Sequence, residues 1–430
     1  MNIKSLKLKN FRLFDSFEIS FEKSMTVIVG INGSGKTTVM DALAIALGTA
    51  FTALDGLTGK MIRKQDARLQ SYPIGASEDV QSQYPVQISA TAQYDDQNIV
   101  WMRTLNGDKG NTTIKDASKI INIFKEYQSR LRSGDQSLAL PIIAYYGTGR
   151  LWDYHREKKI NIFKTSSRTN GYIDSLDGTA NIKLMLNWFR KQTIEKQERL
   201  ERGDQVAPTL DAVYSAMQEC YALATEHKEV KIRYSLNTNE LIVYYTAEDG
   251  MKMRIPLNQM SDGYKSTISL VADIAYRMTI LNPQLANDAI KKTDGIVMID
   301  EVDLHLHPGW QQRILDNLHA IFPKVQFIVS THAPAVIHSI NAKHLRILKD
   351  NHVENSPLET YGKDANGILR SVMEVTERPA SVMKRFRSFH GALDEERYED
   401  AERELNDLEK QIGSDPDIDT CRVQLDLDKM

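Results

Sequence analysis

A glycine-rich segment of eight residues constrains the fold of this chain more than any other feature. Residues 30–37, Gly-Ile-Asn-Gly-Ser-Gly-Lys-Thr, fit the pattern G-x-x-x-x-G-K-[ST] and directly follow the apolar run 25–29. In this pattern a buried strand passes into a helix, and the glycines let backbone N–H groups turn inward around a phosphate. The helix that begins near Lys36 adds the positive end of its dipole. The segment therefore predicts an α/β core that binds a nucleoside triphosphate.

The side chains of this phosphate loop have separate expected roles. Lys36 is expected to reach the β- and γ-phosphates, and the hydroxyl of Thr37 to hold Mg²⁺. The other residues expected to contact the nucleotide are Asn32, Gly33, Ser34, Gly35 and Thr38. The cofactors predicted from the loop are ATP and Mg²⁺.

A second motif supplies two carboxylates. Residues 295–299 form an apolar run that is followed by Asp300 and Glu301, which is a Walker B pattern. Asp300 is expected to hold Mg²⁺, usually through water, and Glu301 to polarise the water that attacks the γ-phosphate. A buried strand that merely ends in solvated acids is the alternative, and the presence of the phosphate loop disfavours it.

Two further segments complete a candidate catalytic site. The apolar run 325–331 ends at His332, in the position of a γ-phosphate sensor. Ser261 and Gly263 precede a predicted helix, where a hydroxyl and backbone N–H groups face an anion. Taken alone, this Ser-x-Gly segment is also compatible with a simple turn and helix cap.

Composition places weaker limits on the protein. The net charge of −3 over 430 residues gives no bulk electrostatic argument for nucleic acid or membrane. The two cysteines, Cys220 and Cys421, do not form a disulfide framework and suit a reducing cytoplasm. No apolar run is long enough to span a bilayer, so we expect a cytoplasmic protein.

The pattern of strands and helices predicts an α/β ATPase head with four parts. These are an N-terminal lobe with antiparallel strands and the phosphate loop (1–150), a helical insertion (151–228), a C-terminal lobe with a mostly parallel sheet (229–350), and a helical C-terminal region (351–430). In the last part, an apolar set recurs at nearly helical spacing: Leu393, Ala401, Leu405, Leu408 and Ile412. That spacing predicts a helical hairpin that packs on itself, and docking of a partner is the alternative.

The order of the motifs resembles that of ATP-binding-cassette ATPases. The opening residues 6–12, Leu-Lys-Leu-Lys-Asn-Phe-Arg, are similar to the start of the SMC, RecF and OLD branch of that class. This resemblance implies that Arg12 contacts the nucleotide and that Ser261 and Gly263 close on the nucleotide of a second subunit. It also implies that Asp303 crosses the same interface, so the working unit is a homodimer or a larger homo-oligomer.

The chain departs from the family pattern at one site. The strand 140–146 is followed by Gly-Thr-Gly-Arg, where the family has the Q-loop glutamine. Either Thr148 or Arg150 takes over its role, or the coordination differs, and the position is left unassigned.

Three phrases, at residues 143–152, 303–308 and 361–369, resemble the PtuA subunits of Septu-type antiphage systems. In those systems the ATPase works with a separate HNH nuclease. The insertion is too short for an SMC coiled coil, and the C-terminal region has no room for the Toprim nuclease of OLD proteins. We therefore expect that this chain does not itself cut nucleic acid.

Three functions remain open on the sequence. The first is an ATP-hydrolysing subunit of a defence complex that gates a separate nuclease. The second is a RecF-like or SMC-like repair ATPase that clamps DNA, and the third is a scaffold that binds ATP without hydrolysing it.

Overall fold

The computed structural model describes residues 1–151, 167–178, 182–225, 227–247, 249–355, 359–373 and 378–429. The chain divides into two compact units, Met1–Lys363 and Asp364–Met430. The strands are β1 (Asn2–Phe11), β2 (Phe14–Ser20), β3 (Met25–Val29), β4 (Leu69–Ile74), β5 (Ser77–Ser82), β6 (Val86–Tyr94), β7 (Gln97–Leu105), β8 (Ile142–Tyr146), β9 (Lys228–Ser235), β10 (Glu240–Thr246), β11 (Lys252–Pro256), β12 (Gly295–Ile299), β13 (Val325–Thr331), β14 (Leu345–Lys349) and β15 (His352–Asn355).

The α-helices of the first unit are α1 (Lys36–Gly48), α2 (Ser118–Arg132), α3 (Ile182–Arg202), α4 (Thr209–Thr225), α5 (Asp262–Leu281), α6 (Ala289–Lys292), α7 (Pro308–Gln311), α8 (Ile314–Ile321) and α9 (Pro334–Ile337). Those of the second unit are α10 (Ala365–Ser371), α11 (Ala380–Asp394), α12 (Tyr398–Ile412) and α13 (Pro416–Asp428). Among the described residues, no helix combines the length and the apolar character that crossing a membrane requires.

The central sheet positions the candidate site. Its strand order is β15-β14-β3-β13-β12-β8, and all neighbours are parallel except the antiparallel pair of β14 and β15. Every residue of β3, β8, β12 and β13 is buried, as expected for parallel strands that are covered on both faces. The carboxyl ends of these strands meet at one edge, so the residues that follow them are brought together.

A four-stranded antiparallel sheet, of order β2-β1-β6-β7, forms the N-terminal part of the first unit. Its strands β1 and β6 alternate between buried and more exposed residues, which is typical of a sheet with one covered face. Trp101 of β7 is buried, and its indole N–H donates to the carbonyl of Ala46 in α1 at 3.0 Å. The sheet therefore packs against the helix that follows the phosphate loop.

Two smaller antiparallel sheets complete the first unit. Strands β9, β10 and β11 form a three-stranded sheet of order β11-β10-β9. Strands β4 and β5 form a two-stranded hairpin whose residues are mostly exposed, and the sequence analysis does not predict it.

The second unit is helical. Helices α11, α12 and α13 share a buried cluster that includes Phe389, Leu405, Leu408 and Ile418. Leu393, Ala401, Leu405 and Leu408 are all buried in it, as a self-packing helical arrangement requires.

The predicted fold class is confirmed: an α/β fold with an N-terminal antiparallel sheet, a mostly parallel core and a helical C-terminal region.

Candidate functional site

The phosphate loop joins β3 to α1, and its glycines are required by its conformation. Gly33 and Gly35 have φ angles of 84° and 101°, in the left-handed region that favours glycine. A Cβ at position 35 would also lie 2.6 Å from Cζ of Phe14, and one at position 30 would lie 2.7 Å from the carbonyl oxygen of Leu348. Only a chain without these side chains fits the path of the loop.

Lys36 lies beneath the loop at the start of α1. Its ammonium group donates to the carbonyl oxygens of Gly30 at 2.8 Å and Ile31 at 3.0 Å, and the residue is only 6 % exposed. Burial lowers the pKa of Lys36, while the charges of Asp300 and Glu301 oppose that shift. The ammonium group is thus held in place at the loop by neutral carbonyls.

The remaining loop residues differ in their exposure and in their hydrogen bonds. Asn32 and Gly33 are exposed at the tip, and Thr38 is buried in the first turn of α1. The hydroxyl oxygen of Ser34 is buried and has no hydrogen-bond partner among the described residues. Residue 35, which precedes α1, provides no side-chain cap, and the first turn carries no acidic residue. An anion would therefore find an orphaned hydroxyl and uncapped backbone N–H groups here.

Thr37 and Asp300 bring the two main motifs together. The hydroxyl of Thr37 donates to Oδ2 of Asp300 at 2.6 Å, and the hydroxyl of Ser330 donates to Oδ1 of the same carboxylate. Asp300 is 1 % exposed and directly follows β12. A hydroxyl and a carboxylate oxygen are ligands that Mg²⁺ prefers.

Glu301 begins the turn that follows Asp300. Its φ of 48° is left-handed, which is uncommon for a residue with a side chain. Its backbone N–H donates to the hydroxyl of Ser330 at 2.8 Å, and its side chain is half-buried. The carboxylate is thus carried on a constrained turn at the edge of the sheet.

His332 follows β13, the strand that lies between β3 and β12. It is half-buried, and its pKa is lowered by burial and by the positive charge of Lys36, against the opposing charges of Glu301 and Asp303. His332 therefore lies within electrostatic range of the phosphate loop and of both acidic residues. The lowered pKa favours a neutral imidazole near pH 7.

Asp303 is tied to the same strand end. The hydroxyl of Thr331 donates to Oδ1 of Asp303 at 2.5 Å and accepts from the backbone N–H of Ala333 at 3.0 Å. The turn after β12 and the residue before His332 are therefore directly bonded.

Arg12 lies in the turn between β1 and β2, held by two carboxylates. Its Nη1 donates to Asp41 of α1 at 2.7 Å, and its Nε donates to Asp66 at 2.9 Å. These residues line a cavity of about 570 Å³ that also includes Lys60 and Tyr172. Burial lowers the pKa of Lys60. The cavity is lined by both charged and aromatic groups and reaches α1 about one turn beyond Thr37.

The Ser-x-Gly segment stands at the start of α5. Ser261 is exposed, and its side chain makes no hydrogen bond to the helix that it precedes. Gly263 is buried, and a Cβ at this position would lie 2.7 Å from the carbonyl oxygen of His305. The segment therefore packs closely against the turn that carries Asp303, while the hydroxyl of Ser261 does not cap its own helix.

Position 148, where a Q-loop glutamine would stand, is exposed and lies in a short 3₁₀-helix, Thr148–Leu151. The side chain of Arg150 lies outside the described residues. The replacement for the glutamine therefore stays unassigned.

Sequence reasoning missed four residues of this site: Asp41, Asp66, Ser330 and Thr331. The first two become visible only through the fold, because they are 29 and 54 residues from Arg12. Ser330 and Thr331 directly precede His332, so two hydroxyl residues at a strand end were a readable signal.

Comparison with known families defines the class. Residues 5–221, about half of the chain, match the family model described as an AAA domain, and residues 150–337 match an AAA ATPase domain. The chain belongs to this family of ATPase domains.

Individual proteins show a more specific similarity than the family models do. The chain is similar to the retron Ec83 probable ATPase of Escherichia coli, with 27 % identity covering 100 % of this chain and 87 % of the relative. It is also similar to the Septu protein PtuA of Bacillus thuringiensis, with 24 % identity covering 92 % of this chain and 90 % of that protein. The Septu-type resemblance is therefore confirmed, whereas the likeness to retron ATPases is not anticipated from the sequence. Among solved structures, an SMC head bound to the C-terminal winged-helix domain of ScpA has 18 % identity and a TM-score of 0.45, covering 82 % of this chain and 97 % of that chain.

Proposed function

We propose that this chain binds ATP with Mg²⁺ at the phosphate loop and hydrolyses it. The observation that carries the proposal is the 2.6 Å hydrogen bond between Thr37 and Asp300, which unites the two motifs at one edge of the sheet. Among the described residues, no group of three or more His, Cys, Asp or Glu side chains is arranged to hold a metal. Mg²⁺ is commonly held by one or two protein groups together with phosphate oxygens and water, and Thr37 and Asp300 would supply the protein oxygens. The ion would neutralise charge on the β- and γ-phosphates.

The residues around the loop have separate roles in hydrolysis. Lys36 and the N-terminus of α1 bind the phosphates. Glu301 orients and deprotonates the attacking water, since it is the half-buried carboxylate next to the Mg²⁺ ligand Asp300. His332, as a neutral imidazole, donates a hydrogen bond to the γ-phosphate without adding a charge that Lys36 would repel.

The nucleoside extends from the loop toward the cavity beside Arg12. The volume of this cavity, about 570 Å³, falls within the range of ligand pockets. The cavity is lined by the aromatic residues Phe51 and Tyr172, by Arg12 and Lys60, and by carboxylates that include Asp41. The base would occupy this cavity, with Arg12 toward the phosphates.

Two copies of the chain complete the site. Ser261 is exposed and does not cap α5, so its hydroxyl is free to meet the nucleotide of a second subunit. The close contact of Gly263 with the carbonyl of His305 keeps this segment beside the turn that carries Asp303. We therefore propose a homodimer or larger homo-oligomer in which Ser261, Gly263 and Asp303 act across the interface.

The biological role that we propose is defence against phage in the cytoplasm, with a separate HNH nuclease as partner. Support comes from full-length similarity to the Septu protein PtuA and to retron ATPases. ATP would hold one assembly state, and hydrolysis or depletion would release another.

The test of this role is the native mass of the complex purified through this chain together with its neighbouring gene products, with and without ATP. A second subunit with nuclease motifs is the expected result. A homo-oligomer that binds DNA ends without any partner would favour a repair clamp instead. Wild-type assembly behaviour in a Glu301→Gln variant would favour a scaffold that does not hydrolyse ATP.

A further inference from the structure

Ser330 stands out among the residues of β13 because its side chain contacts two groups of the adjacent motif. β12 and β13 are parallel and pair Ile299 with Val329, so the next residues, Asp300 and Ser330, lie side by side. Ser330 is fully buried, and its hydroxyl both donates and accepts a hydrogen bond. Its single donor goes to Oδ1 of Asp300, and one of its lone pairs accepts from the backbone N–H of Glu301.

The backbone of Ser330 holds the same turn. Its carbonyl oxygen accepts from the N–H of Val302 at 3.0 Å, directly after the N–H of Glu301 that its hydroxyl accepts at 2.8 Å. Two consecutive N–H groups of the turn are therefore bound by one residue of the neighbouring strand. Glu301 between Asp300 and Val302 has a left-handed φ of 48°, a conformation that persists only where the surroundings fix it.

We propose that Ser330 is a positioning residue for ATP hydrolysis, acting through Asp300 and Glu301. The inference rests on the proposed hydrolytic function. The hydroxyl keeps one oxygen of Asp300 bonded, so the other oxygen stays directed at Thr37. It also fixes the turn from which the carboxylate of Glu301 reaches the attacking water. Ser330 itself does not contact the nucleotide in this account.

Removal of the hydroxyl leaves the phosphate-binding contacts in place. Lys36 is held by the carbonyls of Gly30 and Ile31, neither of which is bonded to Ser330. The consequences should therefore fall on the chemical step, while binding of ATP is retained. A misplacement of about 1 Å at a reacting group lowers rates by as much as about 100-fold.

The test compares Ser330→Ala with Ser339→Ala in full-length protein. Ser339 is half-buried and donates to the carbonyl of Val336 at 2.8 Å, so the control removes a similar hydrogen bond outside the site. We expect kcat for ATP to fall about 10- to 100-fold in Ser330→Ala, with ATP affinity within about threefold of wild type. The control is expected to keep both values.

The inference is overturned if Ser330→Ala keeps kcat within about threefold, or if kcat and ATP affinity fall together, which a merely structural role would cause. If Ser330→Ala does not yield folded protein, Ser330→Cys, which keeps a side chain of similar shape with a weaker donor, is judged by the same criteria. Glu301→Gln distinguishes a failure of the proposed hydrolytic function from a failure of the proposed role of Ser330. If hydrolysis by the wild type does not depend on Glu301, the proposed function fails and the inference with it; if it does, Ser330 alone is under test.

Discussion

Thr37 donates a hydrogen bond of 2.6 Å to Asp300, which lies 263 residues further along the chain. The two residues follow β3 and β12, which are not neighbours, because β13 lies between them. Ser330, the second-last residue of β13, donates a hydrogen bond to the same carboxylate. The first turn of α1, the residue that follows β12 and a residue of β13 thus meet at one aspartate.

Lys36→Ala should weaken ATP binding by about two orders of magnitude. Truncating one partner of a buried charge pair costs about 2–5 kcal/mol, and Lys36 is the buried cation of the phosphate loop. Isothermal titration with ATP measures the loss. Lys109→Ala, which changes an exposed lysine, should bind ATP as the wild type does. Equal affinity for ATP in both variants would show that Lys36 does not bind the nucleotide.

Arg12→Ala should lower the free energy of unfolding by about 2 kcal/mol, because Asp66, which is nearly fully buried, would lose its cation. Urea denaturation measures this change. The matched control is Arg132→Ala, since Arg132 pairs with Asp55 and both side chains are about two-thirds exposed. The control should cost no more than about 0.5 kcal/mol. A loss in Arg12→Ala no larger than in the control would show that the pair of carboxylates does not depend on Arg12.

Gly263→Ala should abolish most ATP hydrolysis while the affinity for ATP stays near that of wild type. The added Cβ would lie 2.7 Å from the carbonyl oxygen of His305 and would push the Ser-x-Gly segment away from the turn that carries Asp303. Gly309→Ala is the control, because its Cβ would meet only the His307 ring at 3.7 Å. Phosphate release and ATP titration are measured in parallel. Hydrolysis at the wild-type rate in Gly263→Ala would contradict the proposed role of this segment.

His332 should make stability depend on pH. Its folded-state pKa is lowered below the ordinary value of 6.5, so the unfolded chain takes up the proton first as the pH falls. The free energy of unfolding should therefore decrease between about pH 7.5 and 5.5, and decrease less in His332→Gln. Denaturant titrations of both proteins across this range test the difference. Parallel curves would mean that His332 is not shielded from protonation in the folded protein.

Much of the fold follows from local sequence because its core strands are short apolar runs. β3, β12 and β13 are buried along their whole length, and each run ends at a residue with recognisable chemistry, such as Asp300 or His332. The phosphate loop is equally recognisable, since Gly33 and Gly35 have the left-handed φ angles that favour glycine. These strands and this loop can therefore be recognised from local sequence without knowing which distant residues they contact.

The parts that the sequence did not predict depend on distant contacts or lack a pattern. The hairpin of β4 and β5 is mostly exposed, and the sequence Ser-Glu-Asp-Val-Gln-Ser of β5 has no apolar alternation. Asp41 and Asp66 are ordinary acidic residues until folding places Arg12 between them. The contact of Ser330 with Asp300 depends on the register of β12 and β13, which joins residues 30 positions apart.

The central claim is that this chain hydrolyses ATP at the site built around Asp300 and Glu301. The most direct measurement is phosphate release from Mg²⁺-ATP by purified wild-type and Glu301→Gln protein, with ATP binding measured on the same samples. We expect steady release by the wild type, a loss of about 100-fold or more in the variant, and retained ATP binding in both. Equal rates of release in the two proteins would contradict it.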